Sequence, residues 1–125
     1  MKLDNDCIRD FLLTLEETHL YENVSTEHLE KYKRLNKYPK DQVLYTISKL
    51  FEAGFINGKK LIISGSIGKA WISEMTWSGH EFLNTIRSDN VWKEAKDKVS
   101  KTVGSVSLTT LSELATTIAK SMLNL

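Results

Sequence analysis

The sequence predicts an α+β chain, mainly α, on three observations. Apolar residues recur at helical three- and four-residue spacing over most of the chain. Two short β-type runs, Leu61-Ile62-Ile63 and Ala70-Trp71-Ile72, flank a glycine-bearing loop. Helix punctuation falls where the periodic stretches begin and end: Pro39, Gly54, Ser78, Ser88 and Gly104.

The elements follow in order. Leu3, Cys7, Ile8, Phe11, Leu12 and Leu15 predict a helix over 3–18 with one apolar stripe and an acidic opposite face. Residues 19–28 lose the period; Val24-Ser25-Thr26 suits a short strand, and Ser25 or Thr26 can cap a short helix running toward Leu35. Pro39 suits a first helical turn. Val43, Ile47 and Leu50 form the stripe of the helix that follows, which Gly54 stops. Phe55-Ile56-Asn57-Gly58 reads as a turn into a hairpin whose loop is Ser64-Gly65-Ser66-Ile67-Gly68. Ser78-Gly79-His80-Glu81 matches a capping box opening a helix with Phe82, Leu83 and Ile86 on its apolar side. Ser88-Asp89-Asn90 recaps, and Val91, Trp92, Ala95, Val99 and Val103 continue to Gly104. Leu108, Leu111, Ala115, Ile118, Met122 and Leu125 stripe the last helix. Trp71, Trp77 and Trp92 have apolar neighbours and read as packing residues.

This order (helix, short strand, short helix, helix ending in glycine, hairpin, helices) is that of a winged helix-turn-helix-like domain with a two-stranded wing and a C-terminal helical extension. The expected division is 1–87 for the winged-helix-like domain and 88–125 for the extension, used for dimerisation or packing. A chain of 125 residues, 41% hydrophobic and 26% charged, suits one such domain and needs no metal or disulfide to fold. Cys7 stands alone and cannot bridge internally; on an apolar stripe it reads as a buried, inert thiol in a reducing compartment. The first ten residues lack the pattern of a signal peptide and no run of 18 apolar residues exists, so a cytoplasmic protein with no membrane partner is expected.

The net charge of +1 hides an asymmetry: residues 3–30 carry −7 and residues 31–69 carry +7. Such blocks either compensate each other across the fold or mark surfaces for different partners.

Residues 1–10, 38–58 and 75–93 (MKLDNDCIRD, YPKDQVLYTISKLFEAGFING and MTWSGHEFLNTIRSDNVWK) resemble domain-of-unknown-function family 2513 of bacterial and prophage proteins. The resemblance implies a small cytoplasmic protein, often phage- or prophage-encoded, with no catalytic residues to carry over. Family members often have histidine where this chain has Thr46, which speaks against a histidine-dependent site on that helix.

The residues themselves point to DNA. Lys31, Lys33, Arg34, Lys37 and Lys40, interleaved with two tyrosines and no acid, precede the proposed recognition helix and could reach phosphates. Gln42, Tyr45, Thr46 and Lys49 are its polar candidates for base edges, and Lys59, Lys60 and Lys69 arm the wing. Asp41 and Glu52 on the same helix oppose phosphate. Leu108, Leu111, Ala115, Ile118, Met122 and Leu125 are the expected dimer or partner face, since such proteins often bind paired half-sites. The alternative is a protein-interaction module that inhibits or adapts a host or phage protein. No enzyme is expected and no cofactor: His19, His28 and His80 share no metal-ligand spacing, and Gly65-Ser66-Ile67-Gly68-Lys69 fails the phosphate-loop pattern because Ala70 follows the lysine.

Overall fold

A computed structural model describes residues 1–125. Asp4 starts the first helix, its carboxylate accepting the Cys7 N–H at 3.0 Å, and α1 runs over Asn5–Glu17. Nine consecutive residues, Cys7 through Leu15, are buried, because α2 and β3 pack against α1 from different sides. The expected single stripe is therefore too narrow: Arg9, Asp10 and Thr14 are interior, and only Asp6, Glu16 and Glu17 keep the acidic face in solvent. Leu3 lies before the helix and is exposed.

Val24–Ser25 forms β1, and the Ser25 hydroxyl caps a 3-10 turn over Thr26–Lys31 by accepting the Glu27 N–H. Helix α2 spans Lys40–Glu52, with Pro39 just before it; the Pro39 carbonyl accepts the N–H groups of Gln42 and Val43. Its end is a Schellman closure. Gly54 sits at φ +76° and bonds back to the Phe51 carbonyl, while the Phe55 N–H reaches the Leu50 carbonyl.

The chain then enters β2 (Ile56–Ile63) and β3 (Ser66–Met75), joined by a two-residue turn rather than the expected five-residue loop. Ser64 (φ +52°) and Gly65 (φ +82°) both take positive φ, the type I′ geometry whose twist matches that of the strands. Residues 55–58 are correspondingly strand entry and not a turn. Two β3 residues, Ser73 and Gly68, are bulged out of register. The sheet has three strands, not two: β1 pairs antiparallel with β3, in the order β1-β3-β2. Where β1 ends, the Thr26 hydroxyl accepts the Ala70 N–H at 3.1 Å and carries the ladder one residue further.

Helix α3 covers Trp77–Ile86 and is capped by Thr76, whose hydroxyl accepts the Gly79 N–H and donates to the Gly54 carbonyl. Ser78 is thus already helical and the predicted box lies inside the helix. Trp77, expected in the core, is 79% exposed, because the first helical turn points it to solvent. Ser88 caps α4 (Asp89–Thr102) and Ser107 caps α5 (Leu108–Met122). The protein is 57% helical with a three-stranded antiparallel sheet, an α+β fold. No helix is long and apolar enough to cross a membrane.

Two compact units result, residues 1–80 and 81–125. In the first, Ile8, Phe11 and Leu12 of α1 meet the face of α2 made by Val43, Ile47 and Leu50, with Val24 and Ile72 from the sheet. Each such side chain contributes about 1.5–3 kcal/mol by leaving water. In the second, Leu83, Ile86, Trp92 and Ala95 are buried with Leu111, Ala115 and Ile118, and Thr85 and Ser112 hydroxyls share a hydrogen bond at 2.8 Å.

Candidate nucleic-acid interface

Two of the connector's five basic residues, Arg34 and Lys37, are already paired within the fold. Asp10 lies in the interior of α1, 7% exposed, and its carboxylate accepts the Tyr38 hydroxyl, pairs with Lys37 at 3.1 Å and lies 4.0 Å from Arg34. Arg34 also pairs with Glu17 through its Nε. Burial, and then the bond to Asp10, push the Tyr38 hydroxyl far above the ordinary tyrosine pKa. Across the sheet, Lys69 reaches Glu27 at 2.9 Å, an exposed pair in which the lysine holds the Glu27 carboxyl below its usual value. The −7 and +7 blocks of the sequence thus meet at Asp10, Glu17 and Glu27, and compensation claims Arg34, Lys37 and Lys69.

Other cations keep their charge for solvent. Lys33, Lys40, Lys59 and Lys60 are exposed and form no ion pair; Lys60 lies over the Phe51 ring at 4.7 Å and Lys31 over Tyr32 at 5.2 Å. In both it is the ammonium group that lies over the ring face, a cation–π contact that leaves the charge without a counter-ion.

On α2 the solvent-facing stripe is Asp41, Leu44, Tyr45, Ser48, Lys49 and Glu52. Lys49 stacks over Tyr45 at 5.5 Å and pairs with Glu52 at 3.0 Å, which raises the lysine pKa. Gln42 is half-buried and donates from Nε2 to the Lys2 carbonyl at 3.3 Å, so the N-terminal residues lie along this helix. A groove of about 400 Å³ separates the stripe from the hairpin, lined by Tyr45, Lys49, Lys60, Ile62 and Ile67 among others, with Met1 at its edge.

Thr46 is corrected outright. It is 0% exposed, its hydroxyl is buried, and it cannot reach a base edge. It faces Cys7 across the α1–α2 contact. Burial pushes the Cys7 thiol up to about 11, with the Thr46 hydroxyl opposing the rise and Asp4 and Asp10 adding to it. Cys7 is, as expected, a buried thiol of low reactivity.

The expected partner face of α5 is also corrected in half its members. Leu111, Ala115 and Ile118 are 2%, 0% and 5% exposed within the C-terminal unit, and Leu108 is half-buried. Met122 and Leu125 remain exposed, with Leu123 between them. His19, His28 and His80 are all on the surface; His28 lies 4.0 Å from Glu30.

What the sequence did not mark is the hairpin tip, where Leu61, Ile62 and Ile63 are each about half exposed (48%, 52% and 53%). Three consecutive aliphatics signal a strand, but periodicity alone cannot tell how much of it stays exposed.

Residues 2–106 match the family described as Hypothetical protein (DUF2513), and the chain belongs to it. An uncharacterised protein of Haemophilus influenzae is 39% identical over 49 residues, which are 39% of this chain and 42% of that protein, so the match spans less than half of the relative. No solved structure matches.

Proposed function

We propose that this protein is a non-enzymatic, phage- or prophage-type DNA-binding regulator of winged-helix design, acting in the cytoplasm. The observation that carries this reading is topological. A helix, a short strand, a 3-10 turn, a helix closed by glycine and a hairpin follow in order, and β1 is hydrogen-bonded to β3 rather than to β2. In that arrangement α2 takes the recognition position and the β2–β3 hairpin is the wing beside it. Phosphate contacts fall to Lys33, Lys40, Lys59 and Lys60, with Tyr45, Ser48 and Lys49 toward the groove floor.

A second reading, a module that docks a protein partner, is favoured by the mixed stripe on α2. Asp41 and Glu52 flank Leu44 and Tyr45, a pattern better suited to a polypeptide than to a phosphate backbone.

A fluorescence-anisotropy titration with random-sequence duplex DNA at two salt concentrations separates the two. The DNA reading expects micromolar, salt-sensitive binding. It also expects loss of that binding in Lys33→Glu with Lys40→Glu, with the circular dichroism spectrum unchanged. Absence of binding at low salt refutes the DNA reading and turns the search to a protein partner.

A further inference from the structure

Between the end of α1 and the connector lies a cavity of about 290 Å³, at the small end of the roughly 300–1,000 Å³ that ligand sites occupy. One wall comes from residues 14–22 and the other from residues 31–34, and the two differ in chemistry.

The first wall offers acceptors. Thr14 and Thr18 donate their hydroxyl hydrogens to carbonyls of their own helix, Asp10 at 2.8 Å and Leu15 at 2.7 Å, which leaves each oxygen as an acceptor. No basic residue stands in the last turn of α1, so the negative end of its dipole is not answered within the helix. A turn closed by the Glu22 N–H on the His19 carbonyl, with Tyr21 at φ +71°, brings Glu22 back to this wall. The Glu22 carboxylate is half-buried, accepts the His19 N–H at 3.4 Å and pairs with no cation.

The second wall offers donors. Arg34 reaches across to Glu17 and joins the two walls, while Lys31 and Lys33 form no ion pair. The Tyr32 hydroxyl is enclosed by protein and has no hydrogen-bond partner. Its backbone is fixed, the N–H on the Leu29 carbonyl and the carbonyl on the N–H groups of Leu35 and Asn36. An enclosed hydroxyl left unpaired costs free energy, and a ligand that brings it an acceptor recovers that cost.

We propose that this cavity binds a small zwitterion, an α-amino acid. Glu22 and the threonine oxygens take its ammonium group; the Tyr32 hydroxyl, Lys31 and Lys33 take its carboxylate. A plain anion would meet Glu17 and Glu22 on one wall, and a plain cation would meet Lys31, Lys33 and Arg34 on the other. A ligand that carries both charges answers both walls. The site stands apart from the DNA-binding reading and does not depend on it.

The test is isothermal titration of the full chain with the standard amino acids, one at a time, at millimolar concentration. At least one is expected to bind saturably, at a single site per chain. For that amino acid, the N-acetyl derivative and the methyl ester each lack one charge, and each should bind weaker by about tenfold or more. Tyr32→Phe should also weaken binding by about tenfold, while the thermal midpoint of the free protein stays or rises, because the hydroxyl removed is an unsatisfied one. Glu22→Gln keeps an oxygen for the His19 N–H and should weaken binding with the midpoint unchanged. Acetate or inorganic phosphate binding as tightly as the amino acid overturns the zwitterion in favour of a plain anion site. Affinity unchanged in both variants overturns the cavity as the location. No saturable heat from any amino acid overturns the proposal outright and leaves the DNA-binding reading untouched.

Discussion

The two basic stretches of the N-terminal unit, the connector over 31–40 and the hairpin over 59–69, look alike in the sequence and differ in the fold. The connector lies over α1, where Asp10 and Glu17 take up Lys37 and Arg34 and hold Tyr38 from beneath. Of the hairpin's lysines only Lys69 meets an acid in an ion pair, Glu27 at the hairpin's base. Arg34 and Lys37 of the first stretch are thus part of the architecture, whereas Lys59 and Lys60 keep their field for something outside. A count of formal charge treats the two alike, because it cannot say which cations have already found their anions.

The sharpest way to break the comparison is from below the connector. Asp10→Ala removes the acceptor for Tyr38 and the counter-ion for Lys37, and should cost about 2–3 kcal/mol in urea unfolding. A loss under 0.5 kcal/mol, on the order of an ordinary surface change, would show that the connector does not depend on it. Gly58→Ala attacks the hairpin at its root. A Cβ there would collide with the Trp71 carbonyl oxygen and Ile72 Cα, both backbone, so about 2 kcal/mol should be lost as the β3 bulge beside it is forced to move.

Next in size is the contrast in DNA affinity. Lys59→Gln with Lys60→Gln should weaken random-duplex binding by about tenfold at moderate salt, and Arg34→Gln with Lys37→Gln by clearly less. Equal losses would mean that the connector's ion pairs open on binding.

The alkaline limb of stability tests the interior under the connector. Cys7 has a folded pKa of about 11 against 9.0 when free, and the Tyr38 pKa is raised as well. Both groups therefore favour the folded state while protonated. Their contribution is complete below pH 9.0 for Cys7 and below about pH 10 for Tyr38, and is lost as pH climbs toward the folded values. Urea midpoints should fall from pH 9 to 11 in the wild type, and Cys7→Ala with Tyr38→Phe should flatten that limb. The smallest effect is expected for Arg34→Gln alone. Its side chain is 42% exposed and Glu17 is 60% exposed, so below about 1 kcal/mol should be lost in thermal unfolding.

The legibility of the chain follows the same division between local and distant causes. Some helix limits were readable because caps and stop signals act within a turn: Ser25, Gly54 and Ser88 function where they stand, whereas the caps Asp4, Thr76 and Ser107 went unread. The β1–β3 pairing was hidden because it joins Val24 to Ile72, with no local trace of that partner. Thr46 was within reach. It stands three residues after Val43 and four before Leu50, on the stripe already recognised, and only its hydroxyl suggested the wrong side. Asp10 was not, since nothing near it in the sequence announces Tyr38 or Lys37, some 28 residues away. The exposure of the hairpin tip depended on what does not cover it, which composition cannot express.

The open edge of β2 has a consequence for the chain in bulk. This strand is outermost in the sheet, and every residue after Ile56 is exposed, so its outer rim of N–H and C=O groups is a template on which another extended chain could add. Lys59 and Lys60, immediately before the three aliphatics, are placed as gatekeepers whose like charges disfavour pairing between copies at this edge. Neutralising them would leave that rim less protected only where copies are crowded, far above the concentrations of a binding titration.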